Sequence, residues 1–191
     1  MSQFVLGLII FLGIHSIAIV ANPLRNALAA RLGEWPWKGV YALISLVGFV
    51  LLVQGWAQVR LEPTVLWTPP SWTRHLTMLL MVPVFPLLLA AYLPGRIKTA
   101  AKHPMLVATK LWALGHLLCN GSLHEVLLFG AFLAWAVADR ISLKRRAPRA
   151  TPQLPGTALN DVIVVVGGLA LYGAFVVKGH AWLIGMPLIR G

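Results

Sequence analysis

Long apolar stretches dominate this sequence and restrict the chain to folds that are stable in a lipid bilayer. A bilayer core about 30 Å thick requires about 20 helical residues. Stretches close to this length lie at Gln3–Ala21, Gly39–Val59, Leu76–Leu93, Pro104–Leu118, Leu123–Ala138 and Leu159–Val177. A segment inside a bilayer must satisfy its own backbone hydrogen bonds, which helices do. The pattern therefore predicts an all-α, polytopic transmembrane helix bundle of about six spans.

The composition supports the same class and excludes others. Hydrophobic residues make up 59% of the chain and charged residues 11%, whereas soluble domains carry about 45–50% and about 25%. The net charge of +11 is scattered at the ends of the apolar stretches, which is unlike the basic face of a nucleic-acid-binding domain. We expect a single transmembrane domain over residues 1–191, with the lipid bilayer as its main partner.

The basic residues predict the orientation of the chain. With the N-terminus outside, the inner loops hold eleven Lys and Arg residues: Arg25, Arg31, Lys38, Arg96, Lys98, Lys102, Arg140, Lys144, Arg145, Arg146 and Arg149. The outer segments hold four: Arg60, Arg74, Lys178 and Arg190. Positive charges favour the cytoplasmic side. The N-terminus is therefore expected outside, and residues 139–158 are expected to form a basic cytoplasmic loop.

Two local signals predict how individual spans behave. Pro83 and Pro86 lie inside the third stretch, so we expect a kink there, with neighbouring groups satisfying the released carbonyls. The short segment Cys119–Ser122 contains an Asn-Gly turn signal between the fourth and fifth stretches. It predicts a tight antiparallel hairpin, with a partly re-entrant pair as the alternative.

Histidines inside two of the spans are the candidate functional residues. His15 lies about 10 Å from the inner face and His116 about 18 Å from it, at 1.5 Å per helical residue. An ionisable side chain in hydrocarbon costs about 2.5 kcal/mol or more and marks a functional site by default. Neutral imidazole is a common metal and haem ligand. The pair predicts metal or haem ligation; the alternative is hydrogen bonding between helices.

Residues near His116 fall into two groups: those on the helix face that would form the site, and those expected to have structural roles. Trp112 lies one turn before His116 on the same face and is a candidate for stacking on a ligand. Lys110 points away from that face and either extends its amine to the interface or pairs with Glu125 or Asp161. His103-Pro104 is expected to start the helix.

The remaining candidates are expected to be structural. His75 and His180 lie at span ends and His124 in the outer turn, so all three are expected to face water or headgroups. Cys119 is expected to fill space near the outer surface. Neither a phosphate-binding loop nor a hydrolase motif occurs in the sequence.

Several segments in this order resemble the NnrU family. They include His15-Ser16-Ile17, Arg31-Leu32-Gly33-Glu34, Pro94-Gly95-Arg96-Ile97-Lys98, His103-Pro104-Met105-Leu106 and Leu111-Trp112-Ala113-Leu114-Gly115-His116. The resemblance implies a bacterial inner-membrane protein connected with nitrite and nitric oxide metabolism, with respiratory or denitrification membrane proteins as partners.

The NnrU family is similar to the 15-cis-zeta-carotene isomerases, which hold haem b between histidines. This similarity implies that His15 and His116 are haem b ligands. The isomerase pattern Trp-Cys-x-x-His falls on Trp112-Ala113-Leu114-Gly115-His116, so Ala113 replaces a cysteine that is a proposed exchangeable haem ligand. Isomerase activity is therefore not implied, and whether the protein is an enzyme stays open.

Two other functions compete with haem binding. The two histidines and Lys110 are also compatible with a haem-free module that binds or transports a small anion. Lys102-His103-Pro104 is close to the Arg-His-Pro motif of small membrane methyltransferases, but the tail from His180 contributes one arginine, Arg190. Those enzymes place further charged residues in this segment, which disfavours the methyltransferase.

Overall fold

The computed structural model describes residues 1–146 and 154–189. Within them the helices are α1 (Ser2–Val20), α2 (Asn22–Leu32), α3 (Glu34–Val59), α4 (Thr73–Met81), α5 (Val84–Tyr92), α6 (Arg96–Ala101), α7 (Pro104–Cys119), α8 (Leu123–Leu143), α9 (Ala158–Ala174), a π-helical turn (Phe175–Gly179) and α10 (His180–Ile184). No strand occurs in these residues, although an isolated bridge joins Val65 and Ser122. The all-α prediction is confirmed.

The predicted spans correspond to apolar helices. Five segments are long and apolar enough to cross a membrane: Ser2–Val20, Glu34–Val59, Thr73–Tyr92, Leu123–Leu143 and Ala158–Ile184. Between 11% and 28% of each segment's most apolar window is buried within the protein, which leaves most of its surface to lipid. The sixth, Pro104–Cys119, is shorter at 16 residues. The chain is therefore a multi-pass membrane protein.

Two predicted boundaries move once the helices are seen. α3 begins at Glu34, five residues before the predicted span. α8 continues to Leu143, so residues 139–143 of the predicted basic loop are helical. Asp139 in this last part of α8 pairs with Arg146 at 2.6 Å, which holds the chain against the helix end. Residues 147–153 of that loop, including Arg149, lie outside the described part of the chain.

The third span is interrupted at Pro83, as predicted. Pro83 has no N–H to donate, and the Val82 N–H turns to the Leu79 carbonyl at 3.2 Å. The Met78 carbonyl, which would accept from Val82 in a regular helix, instead accepts from the Tyr172 hydroxyl at 2.8 Å. A side chain of α9 thus satisfies a group that the break between α4 and α5 releases.

The chain forms two compact units. The first contains Met1–Thr68 and Asn120–Arg146, and the second contains Pro69–Cys119 and the described residues 154–189. α1, α2, α3 and α8 therefore belong to the first unit, and the other helices to the second. The single domain over residues 1–191 stays a prediction.

Glycines bring α1 and α3 of the first unit into backbone contact. A Cβ on Gly48 would lie 2.6 Å from the Phe11 nitrogen, and Cβ atoms on Gly7 and Gly55 would clash with the backbone of Leu52 and Phe4. Small residues permit this approach in membranes, where helices associate through close packing. Phe4 and Leu52 are part of the buried core that results.

In the second unit, α5 packs against α7 and α9. Val84 and Leu87 of α5 form a buried cluster with Ala108 of α7. On the α9 side, a Cβ on Gly168 would lie 2.5 Å from the Pro86 nitrogen. The helix that carries His116 is thereby fixed to the proline-interrupted span.

Candidate functional site

His15 lies on α1 in the first unit and is held by hydrogen bonding and aromatic contacts. Its Nδ1 lies 2.6 Å from the Phe11 carbonyl oxygen. Because a carbonyl can only accept, Nδ1 carries the proton and Nε2 is the basic nitrogen. The ring centroid lies 4.3 Å from that of Phe11, 5.3 Å from Tyr41 and 6.1 Å from Trp135. The imidazole is thus oriented with Nε2 as the nitrogen that carries the lone pair.

A shallow, open groove of about 370 Å³ lies beside His15, between α1 and α3. Its lining residues are Phe11, His15, Tyr41, Ala42, Ser45, Leu46 and Phe49. The Ser45 hydroxyl donates to the Tyr41 carbonyl at 2.8 Å, so its proton is already used within the helix. Its walls are mostly apolar, and it is a shallow depression rather than the enclosed cavity typical of small-molecule sites.

Trp135 of α8 carries a buried donor beside the same histidine. Its indole stands at 86° to the His15 ring, and its Nε1 makes no hydrogen bond with any residue in the described ranges. A buried donor without an acceptor costs about 1–3 kcal/mol. Sequence reasoning overlooked Trp135 and Tyr41; polar aromatic residues inside apolar spans are the signal that identifies them.

His116 lies on α7 in the second unit and repeats the arrangement of His15. Its Nδ1 lies 2.8 Å from the Trp112 carbonyl oxygen, which again assigns the proton to Nδ1 and the lone pair to Nε2. The Trp112 ring lies 5.5 Å from the imidazole, at 52°. The predicted shared face of Trp112 and His116 is confirmed, whereas stacking of Trp112 on a ligand stays a prediction.

The position of His116 is fixed by its neighbour Gly115. The Thr77 hydroxyl of α4 lies 2.7 Å from the Gly115 carbonyl and 2.9 Å from the Thr73 carbonyl, so its single proton is available to both. A Cβ on Gly115 would lie 2.8 Å from the Met81 terminal methyl. Another histidine, His180 at the start of α10, lies within electrostatic range of His116.

The residues proposed to pair with Lys110 have other roles. Asp161 accepts from the backbone N–H groups of Arg96 and Ile97 at 3.0 and 3.1 Å and so caps α6. Glu125 accepts from the Ser122 N–H at 3.0 Å in a capping box at the start of α8. These contacts favour extension of the half-buried Lys110 side chain to the interface.

His15 and His116 belong to different units, so their pairing at one cofactor stays a prediction. In residues 1–146 and 154–189 no group of three or more His, Cys, Asp or Glu side chains is arranged to hold a metal ion. A haem held between two histidines would need two such side chains rather than three. The buried Ala113 is fully inaccessible and supplies no ligand.

His124 corrects one expectation. It is 3% exposed rather than solvated, because its ring packs against Trp56 of α3 with centroids 4.7 Å apart. The loop before α4 covers this end of α8: the Leu66 N–H donates to the Gly121 carbonyl at 2.8 Å. His75 is exposed, as predicted, and α7 starts at Pro104 directly after His103.

The chain matches one family model over nearly its whole length. The model described as NnrU protein covers residues 3–188. No curated protein and no solved structure matches the chain. The matched range includes His15 and His116, the glycines at which α1 contacts α3, and the helix α6. The chain therefore belongs to the NnrU family.

Proposed function

We propose that this NnrU-type protein of the bacterial inner membrane binds haem b through His15 and His116 and acts in nitric oxide or nitrite metabolism. The observation that carries the proposal is the shared Nδ1-to-carbonyl hydrogen bond, 2.6 Å long at His15 and 2.8 Å at His116. Histidines that ligate a metal almost always donate their other ring N–H in this way, which fixes the tautomer and raises the basicity of the ligating nitrogen.

The residues of the chain position the cofactor, which supplies one-electron and gas-binding chemistry when bound. Phe11 and Trp112 each hold an imidazole through their carbonyl oxygens. The groove beside His15 is lined mostly by apolar side chains, which would contact the cofactor on that side. Since Ala113 supplies no thiol, we do not propose exchange of an axial ligand.

The visible absorption spectrum tests the cofactor. The protein is purified in mild detergent after expression with haem supplied, and a Soret band is expected. His15→Ala and His116→Ala should each weaken or shift the band, while the exposed His75→Ala should not. A wild-type protein without the band overturns haem binding. If His180→Ala removes the band and His15→Ala leaves it, His15 is not the second ligand.

The cellular role is tested with the same variants in cells whose nitrite turnover depends on this protein. Loss of turnover with His116→Ala, together with normal turnover with Lys110→Met, supports the haem proposal. The opposite result favours the haem-free anion module, in which Lys110 holds the anion. Membrane abundance of each variant is measured in parallel, so that loss of turnover is separated from loss of protein.

A further inference from the structure

The short helix α2 joins two membrane-length helices of the first unit, α1 and α3, and none of its residues is buried. Its leucines, Leu24, Leu28 and Leu32, recur at every fourth residue and therefore form one stripe along the helix. Leu24 is 55% exposed and Leu32 is 49% exposed. Asn26 lies on the opposite side, since two residues correspond to about 200° around the helix axis. The described part of the protein leaves most of this apolar stripe uncovered.

Two arginines border the leucine stripe. Arg25 and Arg31 each lie three residues from Leu28, in opposite directions along the chain, which places them about 60° to either side of it. An arginine at the edge of an apolar stripe lays its methylene groups along lipid and extends its guanidinium group to the headgroups. Leucines on one face with cations beside them are typical of helices that lie in the plane of a membrane interface.

Carboxylates near α2 are already neutralised by other cations. Glu34, at the start of α3, pairs with Lys38 at 2.8 Å. Asp139, near the end of α8, pairs with Arg146 at 2.6 Å. Arg146 also donates to the Ala18 carbonyl at 2.9 Å, which places the end of α8 beside the end of α1 and therefore close to the start of α2.

Positive charge therefore dominates this end of the first unit. Neither Arg25 nor Arg31 forms an ion pair with a carboxylate of the described residues, although Arg25 lies within electrostatic range of Glu34. Lys144 and Arg145 add exposed cations at the end of α8. A partner that complements both the leucine stripe and these cations has hydrocarbon chains and an anionic headgroup.

Trp35 indicates the depth at which α2 lies. It follows the end of α2 by three residues, its side chain is 81% exposed, and the Lys38 Nζ lies 4.9 Å from the centre of its ring. Tryptophan is enriched where membrane and water meet. The start of α3, and with it the adjoining α2, is therefore suited to the headgroup level of the bilayer.

We propose that α2 binds anionic phospholipids at the membrane surface. Its leucine stripe enters the leaflet, and Arg25 and Arg31 hold lipid phosphates. A lipid fits better than free phosphate, because the stripe requires an apolar partner in addition to the anion. This interaction goes beyond the proposed function and does not depend on haem binding.

A fluorescent reporter on α2 tests the contact with lipid. Cys119, the single cysteine of the chain, is replaced by serine, and bimane is attached through Leu28→Cys or, as the matched control, Asn26→Cys. The full-length protein is reconstituted into vesicles of phosphatidylcholine and phosphatidylglycerol. Lipids brominated on their acyl chains should quench the label at residue 28 strongly and the label at residue 26 weakly. Equal quenching at the two positions overturns the assignment of α2 to the interface.

The preference for anionic lipid tests the arginines. Bromine is placed either on phosphatidylglycerol or on phosphatidylcholine, and quenching at residue 28 gives the relative affinity for the two lipids. A cation near an anionic surface contributes about fivefold, so Arg25→Gln and Arg31→Gln should each lower the preference for phosphatidylglycerol by about this factor. Arg25→Lys and Arg31→Lys keep the charge and should retain most of the preference. Arg74→Gln removes an exposed arginine of α4 and should leave it unchanged.

Three results overturn the binding of lipid phosphates by Arg25 and Arg31. The first is an unchanged preference for phosphatidylglycerol in both glutamine variants. The second is an equal loss in the glutamine and lysine variants, which would indicate packing rather than charge. The third is a preference that inorganic phosphate abolishes and chloride at the same ionic strength does not, which would assign the arginines to a free anion.

Discussion

Gly48 connects the packing of the first unit to the orientation of His15. A Cβ at this position would lie 2.6 Å from the nitrogen and 2.9 Å from the Cα of Phe11. Both atoms belong to the backbone, so a side-chain rotation cannot relieve the contact. The Phe11 carbonyl holds the His15 Nδ1 at 2.6 Å. Gly48→Ala should therefore disturb both the helix contact and the histidine.

The size of the effect follows from the geometry. Ordinary contact between such atoms begins near 3.4 Å, so α1 must move from α3 by about 0.8 Å at this point. Overpacking of a well-packed interface typically costs about 1–3 kcal/mol. We expect Gly48→Ala to lower the free energy of unfolding by this amount and to weaken haem binding, because the support of His15 is displaced.

Gly39→Ala is the matched control on the same helix. A Cβ on Gly39 would meet no atom of the described residues within 4 Å, and alanine is the better helix former by up to about 1 kcal/mol. This variant should therefore be as stable as wild type or slightly more. Unfolding in detergent is measured for both variants, together with the haem spectrum. Equal stability of Gly48→Ala and Gly39→Ala would refute the argument that backbone contact at Gly48 positions Phe11.

Two further predictions concern the second unit. Thr77→Val removes the donor to the Gly115 carbonyl and should lower the free energy of unfolding by about 0.6–1.7 kcal/mol. Thr77→Ser keeps the hydroxyl and should be about as stable as wild type. Equal free energies of unfolding for the two variants would show that the hydrogen bond contributes nothing. Asp161→Ala removes the acceptor of the Arg96 and Ile97 N–H groups, so hydrogen exchange at these amides should accelerate while amides in the middle of α7 keep their protection. Unchanged exchange there would exclude Asp161 as the cap of α6.

The sequence was sufficient to predict the apolar helices, five of which are long enough to cross a membrane. Hydrophobic length determines a span locally, because each helix satisfies its own backbone groups. The break at Pro83 is equally local, since the missing N–H is a property of the residue. The helices α2 and α6 escaped prediction because they lack a long apolar run, and α6 depends on Asp161 from a distant part of the chain.

The candidate site also has residues that the sequence predicts and features that depend on tertiary contacts. The sequence selected His15 and His116 as candidates because an ionisable side chain in an apolar span is costly, and Trp112 because it lies one turn from His116 on the same face. It had no means to show that His124 is buried against Trp56, since this depends on the loop that covers the start of α8.

Periodicity and hydropathy determined the helices and the residues they carry, while tertiary structure decided their neighbours. Gly48 permits α3 to approach Phe11, and this approach places Tyr41 beside His15. The physical reason is that an ionisable side chain in an apolar span is visible from the residues around it in the sequence. A groove between two helices, in contrast, forms only when the helices have packed.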